Sequence, residues 1–373
     1  MDNIYLDNGA TTKVKTEVLN EMMPYLTTEY GNPSSLYSIG RKAKKAIEKS
    51  RRQVAELINC NPHEIYFTGS GSESDNTALK GFAYANRERG NHIITSKIEH
   101  HAILETCETL EKQGFEVSYI NVDKDGVLKI EELRNAIKPS TILISVMTAN
   151  NEIGTIQPIK EISTIAKKHN IIFHTDAVQA AGNVKIDVEE LGIDALSLSA
   201  HKFYGPKGMG ALYVKKGIEF ERVQDGGHQE KGKRSGTENI AGIVGLAEAI
   251  KLANSNLEKN NKQILDNRNY FIKKLTDNFD KIKINGDLEK RLPGNINVTF
   301  LSKDSLDILL KLDEFGICAS AGSACSTGDS LPSHVLTAIG LNAEEASGTI
   351  RFSLGKENTK DEIDYVVNKL SYI

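Results

Sequence analysis

The fold is decided by residues 141–198, where three short apolar runs recur: TILISVM (141–147), IIFHT (171–175) and DALSL (194–198). Residues 159–169, between the first two runs, place apolar side chains at helical spacing. Three more runs of strand length stand at 92–96, 116–120 and 210–214. Strands that alternate with helices predict a mostly parallel sheet with helices on both faces. Such sheets form their sites at the carboxyl ends of the strands.

A different pattern begins near residue 254. Residues 254–280 have the spacing of a long helix with a polar face. Short strands are predicted after it, near 282–284, 295–300, 317–319 and 349–354. Helical patterns fill the gaps between them. We therefore expect a smaller α+β unit to follow the parallel sheet.

Composition excludes several classes of function. The 46 basic and 50 acidic residues nearly cancel, and no basic run stands out, so we expect no nucleic-acid binding. No apolar run approaches the roughly 20 residues that span a bilayer, and the first residues lack a signal-peptide pattern. We expect a cytoplasmic protein that is not bound to membranes. The four cysteines form no C-x-x-C pair, so no metal site is predicted.

Two polar clusters directly follow apolar runs. The segment HTDAVQ (174–179) contains Asp176, and SAHKFYGPKG (199–208) contains Lys202. A lysine confined at a strand end can form a Schiff base with an aldehyde cofactor, because confinement lowers the amine pKa. Alone, Lys202 is equally well explained as a solvated lysine. Asp176 favours the cofactor, because an aspartate can pair with a pyridinium nitrogen.

Three other features are candidate ligand-binding groups, although each is weak evidence by itself. The turn GSGSES (69–74) opens a helix and can receive a phosphate, although most such turns only cap helices. His100 can stack on a flat ring, although a lone histidine is more often packed or solvated. Arg351 lies in an alternating strand, where an inward guanidinium would grip a carboxylate. The alternative is an edge-strand arginine that faces water.

The reactive thiol is predicted at Cys325. It lies in ASAGSACSTG (319–328), which has almost no side-chain bulk, so we expect a mobile loop. Cys60, Cys107 and Cys318 lie in or beside patterned elements and are better explained as small buried hydrophobes. Cys318 is the main rival because it is close to the loop.

These residues together resemble the cysteine desulfurases of the NifS/IscS type, a branch of the fold-type I pyridoxal-phosphate enzymes. The resemblance covers nearly the whole chain, and so many motifs in one order make it specific. Beyond the segments quoted above, it rests on these: YLDNGATT (5–12), GNPSS (31–35), EHH (99–101), ANNEIGT (149–155), RSGTEN (234–239) and PSHVL (332–336).

The resemblance implies an architecture. It implies an α/β fold with a mostly parallel seven-stranded sheet in a large domain, residues 14–253. A smaller α+β domain would comprise residues 1–13 and 254–373. The family's phosphate site also takes a threonine from the neighbouring subunit, which would be Thr237 and implies a homodimer.

The resemblance also implies a role for each matching residue. Lys202 would bind pyridoxal 5'-phosphate covalently, Asp176 would pair with its ring nitrogen, and Gln179 would reach its phenolic oxygen. His100 would stack on the ring and move protons. The phosphate would be held by Gly71, Ser72, Ser199 and His201. Asn151 and Arg351 would orient the carboxylate of L-cysteine, and Cys325 would take the sulfur as a persulfide while alanine leaves. A sulfur-acceptor protein, such as an iron–sulfur scaffold, would then receive it.

Two rival interpretations remain at the level of sequence. Lys202, Asp176 and Arg351 would serve equally in selenocysteine cleavage or in transamination, and only the Cys325 loop favours sulfur transfer. A non-catalytic docking subunit would have lost Lys202 or Cys325, and both are present.

Overall fold

A computed structural model gives the structure of residues 3–322 and 332–373. Its strands, numbered in chain order, are β1 (Ile4–Tyr5), β2 (Ile65–Thr68), β3 (His92–Ser96), β4 (Glu116–Ile120), β5 (Thr141–Ser145), β6 (Ile172–Asp176), β7 (Ala195–Ser199), β8 (Gly210–Val214), β9 (Ile282–Ile284), β10 (Asn295–Phe300), β11 (Ile317–Cys318) and β12 (Thr349–Ser353). Its α-helices are α1 (Thr16–Thr27), α2 (Ser38–Ile58), α3 (Gly71–Ala85), α4 (His101–Glu111), α5 (Ile130–Ala136), α6 (Ile159–Lys168), α7 (Val188–Leu191), α8 (Ile240–Ser255), α9 (Leu257–Asn278), α10 (Ser305–Glu314), α11 (His334–Ala338), α12 (Ala343–Ser347) and α13 (Lys360–Leu370).

The central sheet has seven strands in the order β2-β8-β7-β6-β5-β3-β4. Neighbours from β7 to β4 are parallel, whereas β8 runs antiparallel to both β2 and β7. The predicted mostly parallel seven-stranded sheet is therefore confirmed. Strand β5 ends at Ser145 rather than at 147, because the N–H of Met147 donates to the carboxylate of Glu99 instead of to a neighbouring strand.

Both faces of this sheet are covered, as its apolar runs require. Ile172 packs with Leu79 and Phe82 of α3, whereas the next residue, Phe173, packs in a second core with residues of α2, α6 and α8. Successive strand residues point to opposite faces, so a strand buried on both sides must be apolar throughout. The sheet therefore rigidly positions whatever follows its strand ends.

The C-terminal region has its own antiparallel sheet in the order β12-β10-β9, packed against α9 and α13. The start of the chain joins this region, because β1 pairs in parallel with β11. The long helix predicted at 254–280 is α9, and Asn256 separates it from α8 with a non-helical φ of −127°. In the described part of the chain, no helix is long and apolar enough to cross a membrane.

Candidate active site

A cleft opens where β5, β6 and β7 end and α3 begins. The segment after each of these strands contributes side chains to it, and so do the N-terminal segment and β12. The predicted site residues that line this cleft are Gly71, Ser72, His100, Asn151, Asp176, Gln179, Ser199, His201, Lys202 and Arg351. The structure therefore brings together side chains that lie up to 280 positions apart in the sequence, from Gly71 to Arg351.

Lys202 ends a short 3-10 turn directly after β7 and is half-buried. Its Nζ donates to the carbonyl oxygens of Gly9 at 2.6 Å and Ala10 at 2.9 Å. The nearby amide of Gln179 donates to the same Gly9 oxygen at 2.9 Å. Lys202 is thus not the solvated surface lysine that was the alternative, because the N-terminal segment holds its amine inside the cleft.

Asp176 is the last residue of β6 and is almost fully buried. Its Oδ1 accepts the N–H of Val178 at 2.8 Å. Burial raises the pKa of Asp176 to about 6, although that hydrogen bond and the charge of Lys202 act in the opposite direction. A cation placed against this carboxyl would compensate for its burial and favour the charged form.

A second carboxyl, which the sequence did not point to, lies at the same end of the cleft. Asp75 of α3 is fully buried, and burial and the charge of Asp176 raise its pKa. Its Oδ1 has no hydrogen-bond partner in the described part of the chain and lies 3.8 Å from His174 Nε2. Ser145 and Ser197 flank the His174 ring at 2.9 and 3.0 Å. These polar residues inside apolar strands were the signal available in the sequence.

His100 caps the N-terminus of α4, and its Nδ1 accepts the N–H of Ala102 at 3.1 Å. Burial lowers the pKa of His100 to about 4, and the charges of Lys202, His101 and His334 act in the same direction. The ring is therefore neutral at physiological pH. Because Nδ1 is an acceptor, its proton belongs on Nε2.

The first turn of α3 approaches the ends of β6 and β7 very closely. A Cβ on Gly71 would lie 2.7 Å from Cγ2 of Val178 and 3.2 Å from Cβ of Ser199, so only glycine fits. The helix start presents free backbone N–H groups, which favour an anion. Ser72, Ser199 and His201 line the same end of the cleft. A helix start of this kind can bind an anion such as a phosphate.

Arg351 lies on β12, at the edge of its sheet, yet its side chain is only 2% exposed. The alternative of a water-facing arginine is therefore wrong. Its Nη2 donates to Asp7 Oδ1 at 2.8 Å and its Nη1 donates to the carbonyl of Asn151 at 3.0 Å. The buried Nε has no partner in residues 3–322 and 332–373. The guanidinium thus lines the cleft with its Nε–H unused.

Two predicted residues are not placed in this cleft. Cys325 lies outside the described residues. Thr237 is exposed and is not among the side chains that line the cleft. Burial raises the pKa of each of the other thiols, that of Cys60 to about 12 and those of Cys107 and Cys318 in the same direction. None of these three is poised to act as a thiolate.

The sequence model of the class-V aminotransferases matches residues 4–366. A cysteine desulfurase IscS of Clostridium botulinum is 53% identical over 372 residues, which cover 99% of this chain and 94% of the relative. The chain belongs to the cysteine desulfurases of this family. Among solved structures, a NifS-like protein superposes with a TM-score of 0.94 at 40% identity and covers all of both chains. Another, SspA in complex with cysteine, has a TM-score of 0.84 at 38% identity and covers 95% of this chain and all of that one.

The N-terminal segment at the cleft is also part of the family match. The family match extends from β1 to α13, so it includes the N-terminal segment that contacts Lys202 and Arg351. The sequence interpretation quoted this segment as a motif but assigned no role to it. Its contacts identify it as part of the site.

Proposed function

We propose that this cysteine desulfurase uses pyridoxal 5'-phosphate bound to Lys202 to take sulfur from L-cysteine, stores it as a persulfide on Cys325 and releases alanine. The observation that carries the proposal is the convergence of Lys202, Asp176 and Arg351 on one cleft. An amine, a buried carboxyl and a buried guanidinium are the groups that an aldehyde cofactor and an amino-acid substrate require.

The cleft fits this cofactor at both ends. The Gly71 turn, Ser72, Ser199 and His201 would hold the phosphate, because they line one end of the cleft and the start of α3 favours an anion. Asp176 would pair with the ring nitrogen, and the neutral His100 would stack on the ring while Gln179 reaches its phenolic oxygen. When bound, the cofactor supplies an electron sink for the bonds broken at the substrate's α-carbon.

Lys202 would act as the base. In the substrate complex, the lysine amine would lie beside the carbonyls of Gly9 and Ala10, which orient Nζ within the cleft. It can then take the proton from the α-carbon. Arg351 and Asn151 would fix the substrate carboxylate, and His100 would hold or pass a proton at Nε2.

Cys325 would receive the sulfur as a thiolate. Its sulfur attacks the sulfur of L-cysteine, so that an S–S bond forms as the substrate's C–S bond breaks. The three-carbon fragment takes up a proton and leaves as alanine. The overall balance is L-cysteine plus a thiol giving alanine plus a persulfide. The raised pKa values of Cys60, Cys107 and Cys318 support Cys325 as the acceptor.

A homodimer would complete the site, with Thr237 of each subunit contributing to the phosphate end of the other. Exposed apolar side chains on α1 and in the residues after it support a subunit interface: Leu19, Met23, Leu26, Tyr30, Leu36 and Tyr37. Sedimentation would show a monomer if this proposal is wrong.

The outer sulfur of the Cys325 persulfide would pass to a second protein, such as an iron–sulfur scaffold.

The proposal is tested by incubating the purified protein with L-cysteine and a reducing thiol, then measuring alanine and sulfide. We expect equal amounts of both over many turnovers. Cys325→Ser should abolish both products, whereas Cys318→Ser, the matched control, should retain them. Pyruvate and ammonia in place of alanine would contradict desulfuration, and full activity of Cys325→Ser would contradict the choice of cysteine.

A further inference from the structure

The carboxylate of Asp7 already accepts a hydrogen bond from the Arg351 guanidinium, which is the group proposed to bind the carboxylate of the substrate. Asp7 Oδ1 accepts from Nη2 of Arg351 at 2.8 Å, and its Oδ2 accepts the hydroxyl of Ser320 at 2.8 Å. Both partners of the ion pair are largely buried, with side-chain exposures of 2% for Arg351 and 14% for Asp7. The pair is therefore only weakly screened by solvent.

The backbone fixes this contact. Asp7 forms a β-bridge with Ser353, two residues after Arg351 on β12. The N–H of Ser353 donates to Leu6 at 2.7 Å, and the N–H of Asn8 donates to Ser353 at 3.1 Å. Asp7 is thus held in register beside Arg351 by main-chain hydrogen bonds and does not reach it through a mobile side chain alone.

We propose that Asp7 is a positioning residue that limits how tightly Arg351 holds the carboxylate of an amino acid, and thereby allows the product to leave. The inference rests on the proposed function, because it takes Arg351 as the group that binds this carboxylate. L-Cysteine and alanine carry the same α-amino and carboxylate groups, so Arg351 cannot distinguish substrate from product. An uncompensated buried guanidinium would hold both too tightly.

Charge balance explains the effect. A buried arginine without a partner carries a large desolvation penalty, which an incoming carboxylate would relieve with a correspondingly high affinity. Asp7 already supplies the compensating charge. The incoming carboxylate therefore gains mainly the remaining donors of Arg351, including the unpaired Nε, and meets the repulsion of Asp7.

The test is Asp7→Asn in the holoenzyme. Asparagine keeps an oxygen for Nη2 and an amide for Ser320, but removes the charge. We expect the inhibition constant of L-alanine to fall at least about fivefold. This is the effect of removing one of two like unit charges about 4 Å apart if they repel each other as weakly as in bulk water. The KM for L-cysteine should fall with it, while kcat should not rise. Damage to the fold would weaken binding, so a gain in affinity cannot come from a merely structural role.

Glu230→Gln is the matched control. It also removes a carboxylate from a buried arginine, since Glu230 pairs with Arg51 at 2.7 Å, but neither residue lines the cleft. Its L-alanine inhibition constant should equal that of the unaltered protein. An unchanged or raised constant in Asp7→Asn would overturn the inference. Absence of alanine inhibition and of cysteine turnover in the unaltered protein would instead overturn the proposed function.

Discussion

Two buried arginine–carboxylate pairs differ in how completely the arginine is used. Arg51 donates through Nη1 and Nη2 to both oxygens of Glu230 at 2.7 Å, through Nη1 to Ile65 at 2.8 Å and through Nε to Glu48 at 3.3 Å. Arg351 donates once to Asp7 and once to Asn151, and its buried Nε has no partner in the described residues. We infer that an arginine with four of its five N–H groups hydrogen-bonded is structural, whereas one with a buried, unused Nε that lines a cleft can bind a ligand.

Burial alone does not distinguish the two arginines. Both arginines are almost completely buried and both form short ion pairs. They differ in two respects: Arg351 has more unused N–H donors than Arg51, and only Arg351 lines the cleft. The two pairs should therefore respond in opposite ways to mutation, one through activity and the other through stability.

The largest expected effect belongs to Arg351→Lys. Lysine keeps the charge but cannot form paired hydrogen bonds with a carboxylate. The kcat/KM for L-cysteine should fall about 100-fold, because each charge-assisted hydrogen bond contributes ~1.5–3 kcal/mol. Steady-state kinetics would measure it, and retention of near-normal kcat/KM would contradict the assignment of Arg351 to substrate binding.

Glu230→Gln should reduce stability and leave activity unchanged. It leaves Arg51 with only the partly exposed Glu48 as a charged partner, so the free energy of unfolding should fall by about 3 kcal/mol. Denaturant unfolding would measure this loss, and kcat/KM below the unfolding transition should be unchanged. A loss of activity without a loss of stability would contradict the structural role of the Arg51–Glu230 pair.

Glu99 is a buried carboxyl of a different kind from Glu230 and Asp7. Glu99 is fully buried and accepts hydrogen bonds from Ser96 and Met147 but forms no ion pair with the described residues, and burial raises its pKa to about 8. A folded-state pKa above the ordinary value favours the folded protein at low pH. This contribution is lost as the pH rises from about 4.5 to about 8.

Glu99→Gln should remove that dependence. The free energy of unfolding of the unaltered protein, minus that of the variant, should fall by at most about 1.4 kcal/mol per pH unit across that window. Urea unfolding at several pH values would measure the difference. If it stays constant with pH, Glu99 does not titrate in this range.

Much of this arrangement could be predicted from sequence. The apolar runs predicted the strands because a strand buried on both faces leaves a continuous apolar signal. The meeting of Lys202 and Asp176 at one cleft could be predicted, because parallel strand ends converge. Asp7 and Asp75 could not be assigned roles, since their contacts depend on how β1 and α3 pack against strands far away in the chain. The helix predicted from residue 254 begins at Leu257, because Asn256 has a non-helical φ of −127°.

The central claim is that Lys202 carries the cofactor in this cleft. Borohydride reduction of the purified protein, followed by proteolysis and mass spectrometry, tests it directly, because reduction makes the bond between a lysine and an aldehyde permanent. The account predicts a reduced pyridoxal-phosphate adduct on the peptide that contains Lys202, and none in Lys202→Ala. An adduct on another lysine, or none in the unaltered protein together with full activity, would contradict it.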